Sequence, residues 1–178
     1  VVFAEPENQT SLKMMEGFAK HGSEQSDELV SLLTRLKKLL DGDKTFARSI
    51  KGRNVVMGYY FKREHNLEAE SISGKLPLAA CDLTQVAGQG MQLQQAVGYG
   101  ANLAQLQDAA AGGGHFVPNM DADGVIRSVP LLMAYQGKCY ESLSLAIVRH
   151  ILGSPQVTAV RDADRWSRQS LKVGELKI

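Results

Sequence analysis

The chain has 178 residues, 20 basic and 19 acidic, with a formal net charge of +1. That length suits one domain able to bury its own core. The balanced charge, with no Lys/Arg run interleaved with aromatics, excludes recruitment of nucleic acid or anionic lipid by charge alone.

No apolar run approaches the ~20 residues a membrane helix needs, and no signal peptide is evident. Val1-Val2-Phe3 opens in strand-like residues without an initiator Met, and Leu171 to Ile178 stops inside an alternating run. The chain therefore reads as an excised piece of a longer protein.

After the opening strand, Glu5 to Ser11 is turn-like and Leu12 to Gly22 suits a short helix. Leu29, Val30, Leu32, Leu33, Leu36, Leu39 and Leu40 then follow helical spacing. Ser26 can cap that helix, Asp27 and Glu28 complement its positive end, and Lys37 and Lys38 its negative end. Such a helix buries its apolar face in the core or offers it to a partner. Asp41 or Asp43 caps a second helix through Ile50, with Phe46, Ala47 and Ile50 inward. Asn54 to Phe61 is a strand whose near-continuous apolar run predicts cover on both faces, hence helices on both sides of a sheet.

Lys62 to Lys75 is polar and charged, a surface excursion and a candidate wall for a binding site. Leu78 to Gln95 predicts no clear element. Ala101 to Ala111 suits a helix, with Gly112 to Gly114 as its stop. Next, His115 to Val117 opens a hairpin, Pro118 and Asn119 break it, and Asp121 to Gly124 supply turn residues. Val125 to Tyr135 is expected as the longest strand. Gln136-Gly137-Lys138 is a tight turn, Cys139-Tyr140 begins the return, and Glu141 or Ser142 starts a helix to Leu152 that Gly153, Ser154 and Pro155 end. Val157 to Val160 and Leu171 to Ile178 look like strands around the charged segment Arg161 to Arg168, which Trp166 would anchor. The expected fold is α/β: a mixed β-sheet flanked by helices on both faces, with a C-terminal hairpin-helix unit, in a single domain over residues 1–178.

Catalytic patterns are missing. Asn119-x-Asp121-x-Asp123-Gly124 matches the first half of a calcium loop, but the twelfth position is Pro130 and strands flank it, so a plain turn is the reading. Gly98-x-Gly100 lacks the third glycine of a dinucleotide loop, with Leu103 in its place. Nucleophile elbows, H-E-x-x-H and P-loops are absent. Ser142 and His150, eight apart on a helix, are separated by ~12 Å and cannot bond. His21, His65, His115 and His150 are scattered singly, and Cys81 and Cys139 make no metal motif. The two cysteines are open to a single disulfide or to free thiols. No catalytic residue, metal or cofactor is expected, and no nucleic-acid partner.

One resemblance spans Val1 to about Gly153. The run D-x-D-G-v-x-R-x-v-P-L at Asp121 to Leu131 is followed by a small polar hairpin and by Tyr140-Glu141-Ser142-Leu143-Ser144-Leu145-Ala146. Together they resemble the type-two CHASE domain, the extracytoplasmic sensor module of bacterial adenylate cyclases and histidine kinases. Val1 to Pro6 is similar to that family's F-x-E-P segment, and Asn54 to Gly58 to its N-V-V-x-G strand. Glu5, Pro6, Asp121, Asp123, Gly124, Arg127, Pro130 and Ser142 stand at its motif positions. The resemblance implies a receptor embedded in the inner membrane, with this domain in the periplasm or outside the cell, binding an unknown small molecule. It also implies a first strand-helix unit upstream and a closing segment downstream, whose loss would leave an edge open to pairing as a homodimer. In the competing reading the domain is a periplasmic protein–protein interaction module, docking through the Ser26 to Leu40 helix or a sheet edge.

Overall fold

The parallel pairing of the Val56–Lys62 strand with the glycine run at 112–115 sets the architecture. The computed structural model describes residues 2–6, 10–21, 31–36, 41–63, 72–87, 90–161 and 169–178. In chain order these form α1 (Thr10–His21), α2 (residues 31–36), α3 (Gly42–Ile50), β1 (Val56–Lys62), β2 (Ile72–Ser73), β3 (Cys81–Asp82), α4 (Leu83–Ala87) and β4 (Gln94–Gln95). There follow β5 (Gly98–Gly100), α5 (Ala104–Ala109), β6 (Gly112–His115), β7 (Asn119–Met120), β8 (Ile126–Ser128), β9 (Leu132–Tyr135), β10 (Lys138–Glu141), α6 (Leu143–Ile151), β11 (Val157–Arg161), β12 (Gln169–Val173) and β13 (Leu176–Lys177).

Two four-stranded mixed sheets form the body, in the orders β2-β5-β1-β6 and β3-β10-β9-β4. They are stitched together twice. On one side the chain passes from β4 to β5, where Ala96 N–H donates to the Ala134 carbonyl and Val97 N–H to that of Lys62. On the other, His115 forms a parallel bridge with Ser142. Between the sheets Tyr59, Phe61, Val117, Met133, Tyr135 and Tyr140 make one core cluster. Three of its ring pairs, Tyr59–Phe61, Phe61–Tyr140 and Tyr99–Tyr135, meet edge-on at 5.3–5.5 Å, a geometry worth about 1 kcal/mol per pair beyond area burial. A three-stranded sheet, β11-β12-β13, and the β7-β8 ribbon complete the fold.

Helices cover both faces of the first sheet, as the apolar run of β1 predicts. Met57 packs with Ile50 of α3 and Leu106 of α5. On the opposite face Gly58 lies under Phe116 and Leu143, whose side chains would stand 3.1 and 3.6 Å from an added β-carbon. The cover is incomplete, because Tyr60 is partly exposed. Of the two candidate caps, Asp41 serves α3, its side chain accepting from Lys44 N–H at 3.0 Å. Phe46 and Ala47 face inward beside Ile50, as their spacing implied.

Four expectations change. Gly112 to Gly114 do not stop a helix; they are strand β6, and the preceding helix covers only Ala104–Ala109. A β-carbon on Gly114 would fall 2.4 Å from the Leu143 Cα, so the glycine lets α6 rest directly on the sheet. The long strand Val125 to Tyr135 is two strands in different sheets, β8 and β9. Pro130 lies between them, and with no N–H to give a ladder it ends one pairing before the next begins. His115 to Val117 does not open the hairpin: β6 ends at His115, and the hairpin's first strand is β7, which begins at Asn119, a residue expected as a break, and pairs with β8. Leu171 to Ile178 folds back on itself as β12 and β13.

The hairpin-helix unit is present as β9, β10 and α6. Gln136 and Gly137, both at positive φ (47° and 75°), make the two-residue turn that suits the twist of paired strands. Ser26, Lys37 and Lys38 of the leucine-rich helix, the loop residues 64–71 and Trp166 lie outside the described residues. Of that helix, Leu33 is buried, while Leu32 and Leu36 are exposed.

Candidate functional site

β6 is joined to the residue after β10 by the His115–Ser142 bridge, and a cleft of about 510 Å³ lies against Gly112 and Gly113 of β6. One wall is the segment Lys75 to Ala79, another the end of α5 with Ala110 and Ala111, and a third comes from Glu141, Arg149 and Ser154. Ligand cavities of metabolite size fall in this volume range. A shallower depression of about 890 Å³ lies against α6, between Asn54, Val55, Val56, Ile147, His150 and Ile151. Its polar groups are His150 and Asn54, 3.3 Å apart, and Ile151 is 77% exposed there. The smaller cleft carries more chemistry.

Its deepest charged pair is Glu141 with Arg149. Glu141, at the end of β10, is only 4% exposed. Arg149 reaches back from the last turn of α6 and donates from Nε to Oε2 at 2.7 Å and from Nη2 to Oε1 at 2.5 Å. This bidentate grip raises the guanidinium's pKa above its ordinary value, outweighing the burial that lowers it. At the mouth, Lys75 Nζ pairs with Asp108 at 2.5 Å, both half exposed. Two cations and two carboxylates therefore cancel.

Gln107 also lines the cleft and is 94% buried, at 6% exposure. Its carboxamide lies over Gly113, where an added β-carbon would be 3.2 Å from both Oε1 and Nε2. Oε1 accepts no hydrogen bond among the described residues. Farther inward the same holds for the Tyr59 hydroxyl and both ring nitrogens of His115. Burial pushes the His115 pKa down to about 4, so its imidazole is neutral at ordinary pH. Unpaired buried polar atoms cost about 1–3 kcal/mol each, and Tyr59 and His115 lie outside the cleft lining.

The family-motif residues occupy other ground. Arg127 donates from Nη1 to Asp121 at 2.7 Å, and to Asp123 from Nη1 at 3.0 Å and from Nη2 at 2.8 Å. Asp123 also accepts from Val125 N–H at 3.1 Å, and Gly124 turns the chain at φ 78°. These contacts tie the exposed β7-β8 turn, and the Arg127 guanidinium takes the position between carboxylates that a cation would need. Its hydrogen bonds hold the Asp123 carboxyl below its ordinary value. Glu5 and Pro6 stand exposed elsewhere, bonded to none of these groups. Ser142 caps α6, its hydroxyl accepting from Leu145 N–H at 3.3 Å. Pro130 parts β8 from β9.

Sequence reasoning missed Asn102, Gln107 and the Glu141–Arg149 pair. Asn102, fully buried, accepts from Phe3 N–H at 3.0 Å and donates to the Gly58 carbonyl at 3.0 Å, joining the N-terminal segment to β1. Nothing local distinguishes it from any other asparagine.

A family model for the CHASE2 domain matches residues 1–177. The chain belongs to the CHASE2 domain family. CHASE2 domains are extracytoplasmic sensory modules of bacterial receptors and are not catalytic. No curated protein and no solved structure matches this chain. Within this CHASE2 domain no helix among the described residues is long and apolar enough to cross a membrane, and no described cluster of His, Cys, Asp or Glu could hold a metal ion.

Proposed function

We propose that this CHASE2 domain is the ligand-sensing part of a bacterial transmembrane receptor with a cyclase, histidine kinase or similar cytoplasmic output, and that a small molecule binds in the Glu141–Arg149 cleft. The observation that carries the reading is the family membership joined to a cleft of metabolite size that the Glu141–Arg149 and Lys75–Asp108 pairs line. The cleft is bounded by α6 on one side and by α5 and the 75–79 segment on the other. A ligand that binds one spacing of these walls better than another shifts their population, and equal affinity for both would signal nothing. The parent would present this domain in the periplasm or outside the cell.

A thermal-shift screen of this chain against metabolites, amino acids, nucleotides and divalent ions tests the reading. A ligand at one hundred times its dissociation constant stabilises by about 2.7 kcal/mol, which in a domain of this size raises the melting midpoint by several degrees. A flat screen on folded protein would sink the small-molecule reading. It would favour a protein–protein interaction module, for which the exposed Ile147, Val148, Ile151 and Leu152 of α6 and its flank are the apolar surface.

A further inference from the structure

We infer that the cleft takes a small monocarboxylate with an apolar tail. The inference rests on the sensor reading above and names the ligand's chemistry. It follows from which polar atoms of the lining are already engaged.

Arg149 is held along one edge only. Glu141 takes its Nε and Nη2, leaving Nη1 without a bond to any described residue. A planar guanidinium engaged by one carboxylate in this way keeps a second donor edge, and a second carboxylate is the group whose shape and charge match it. Gln107 adds a neutral donor. Its Oε1 is buried out of reach, so Nε2 is the amide atom left to face the cleft that this residue lines. Lys75, half exposed at the mouth, brings a cation to the same lining. The carboxylates are engaged by contrast: both Glu141 oxygens take Arg149, and Asp108 takes Lys75. An ammonium would have to compete with Arg149 or Lys75 for them, whereas a ligand that supplies acceptors meets donors already in place.

Charge limits that ligand to one negative group. Lys75, Asp108, Glu141 and Arg149 sum to zero, so a phosphate or polyanion meets two carboxylates with no surplus cation to offset its further charge. Volume and lining set the rest. At about 30 Å³ per water, a volume near 510 Å³ equals roughly seventeen waters, room for a chain or ring of several carbons. Leu76, Pro77 and Leu78 offer hydrocarbon to such a tail.

The test is calorimetry and thermal shift on this chain with hexanoate and benzoate, compared with hexanamide, benzamide, hexylamine and inorganic phosphate. The expected result is saturable binding of at least one carboxylate, tenfold or more tighter than its amide, the amine or phosphate. Equal affinity for the amide would overturn the inference. Arg149→Lys keeps a cation against Glu141 without the second donor edge, and Gln107→Met lacks the amide donor; each should weaken carboxylate binding at least tenfold. Gln107→Met also removes the unpaired buried oxygen, so the unliganded domain should melt no lower than the parent, whereas loss of a merely structural glutamine would lower the melt. Leu78→Asp, at a residue 94% exposed, should leave the melt unchanged and weaken binding by repelling the carboxylate at the rim. If a sugar, nucleotide or amine binds with the same dependence on Arg149 and Gln107 and neither carboxylate does, the carboxylate inference fails and the sensor reading stands. If nothing in this panel or in the metabolite screen binds the folded chain, or binding ignores both Arg149→Lys and Gln107→Met, both fail.

Discussion

Arg149 closes on both carboxylate oxygens of Glu141 across the boundary between α6 and β10, at 2.7 and 2.5 Å. With Glu141 nearly inaccessible, removing the cation alone leaves a buried charge unpaired. Arg149→Ala should cost about 3 kcal/mol, whereas Glu141→Met with Arg149→Leu should cost much less, because no charge is then stranded. Urea unfolding of the two variants measures this. Equal losses would mean that the pair contributes through packing and not through charge.

Gly114 and Gly112, two residues apart on β6, should respond oppositely to alanine. At Gly114 the new β-carbon meets the Leu143 Cα at 2.4 Å, a backbone atom that cannot rotate away, so α6 must shift. Gly114→Ala should cost about 2–3 kcal/mol, the range for an overpacked site. At Gly112 nothing lies within 4 Å and φ is ordinary, so Gly112→Ala should be neutral or stabilise by about 0.5 kcal/mol through lost unfolded-state freedom. Thermal melts of the two variants compare them directly.

His115 makes stability depend on acid. Its folded pKa of about 4 lies below its ordinary 6.5, so between those values the unfolded chain binds a proton that the folded chain refuses. Stability from this group is complete above pH 6.5 and falls as pH drops toward 4, by up to about 3 kcal/mol. His115→Phe should flatten that slope. Denaturant midpoints at pH 7, 5.5 and 4 for both proteins decide it, and parallel slopes would show that carboxylates elsewhere carry the acid sensitivity.

Cys81 and Cys139 are register partners on β3 and β10, both buried. Antiparallel partners have Cα atoms about 4.5–5.5 Å apart, inside the disulfide range. Oxidative refolding should join them, two thiols giving up two protons and two electrons to a thiol–disulfide oxidant. A loop of this length then stabilises by about 4 kcal/mol in the chain-entropy model. Burial raises both thiol pKa values, so thiolate is scarce in the folded state and oxidation of folded protein should be slow. Non-reducing peptide mapping after refolding, with and without oxidant, checks the pairing. Reduced cysteines in the oxidised sample would rule it out.

Local signals in the sequence determined much of this domain. The caps of α3 and α6, each narrowed to two candidates, the Gln136-Gly137 turn, the apolar run of β1 and the motif order of the CHASE2 family were all legible, because each depends on residues close along the chain. Tertiary contact decided the rest. Gly112 to Gly114 read as a helix stop, since a glycine run has no strand propensity of its own; pairing with Val56 to Gly58, more than fifty residues upstream, makes it a strand, and the seat of Leu143 requires Gly114. Val125 to Tyr135 carried one strand's composition, but its halves found partners in different sheets.

The candidate site was the least legible part. Lys75, Gln107, Glu141 and Arg149 are ordinary surface residues by type, and only chain folding brings them to one cleft and withdraws Gln107 and Glu141 from water. The motif residues Asp121, Asp123 and Arg127, conspicuous in sequence, tie an exposed turn. Sequence by itself therefore determined the family and the local elements, through short-range backbone and capping preferences. The cleft exists only because segments distant along the chain, 75–79, the end of α5, Gly112-Gly113 and the Glu141–Arg149 pair, come together, a property of the packed chain and not of any segment in it.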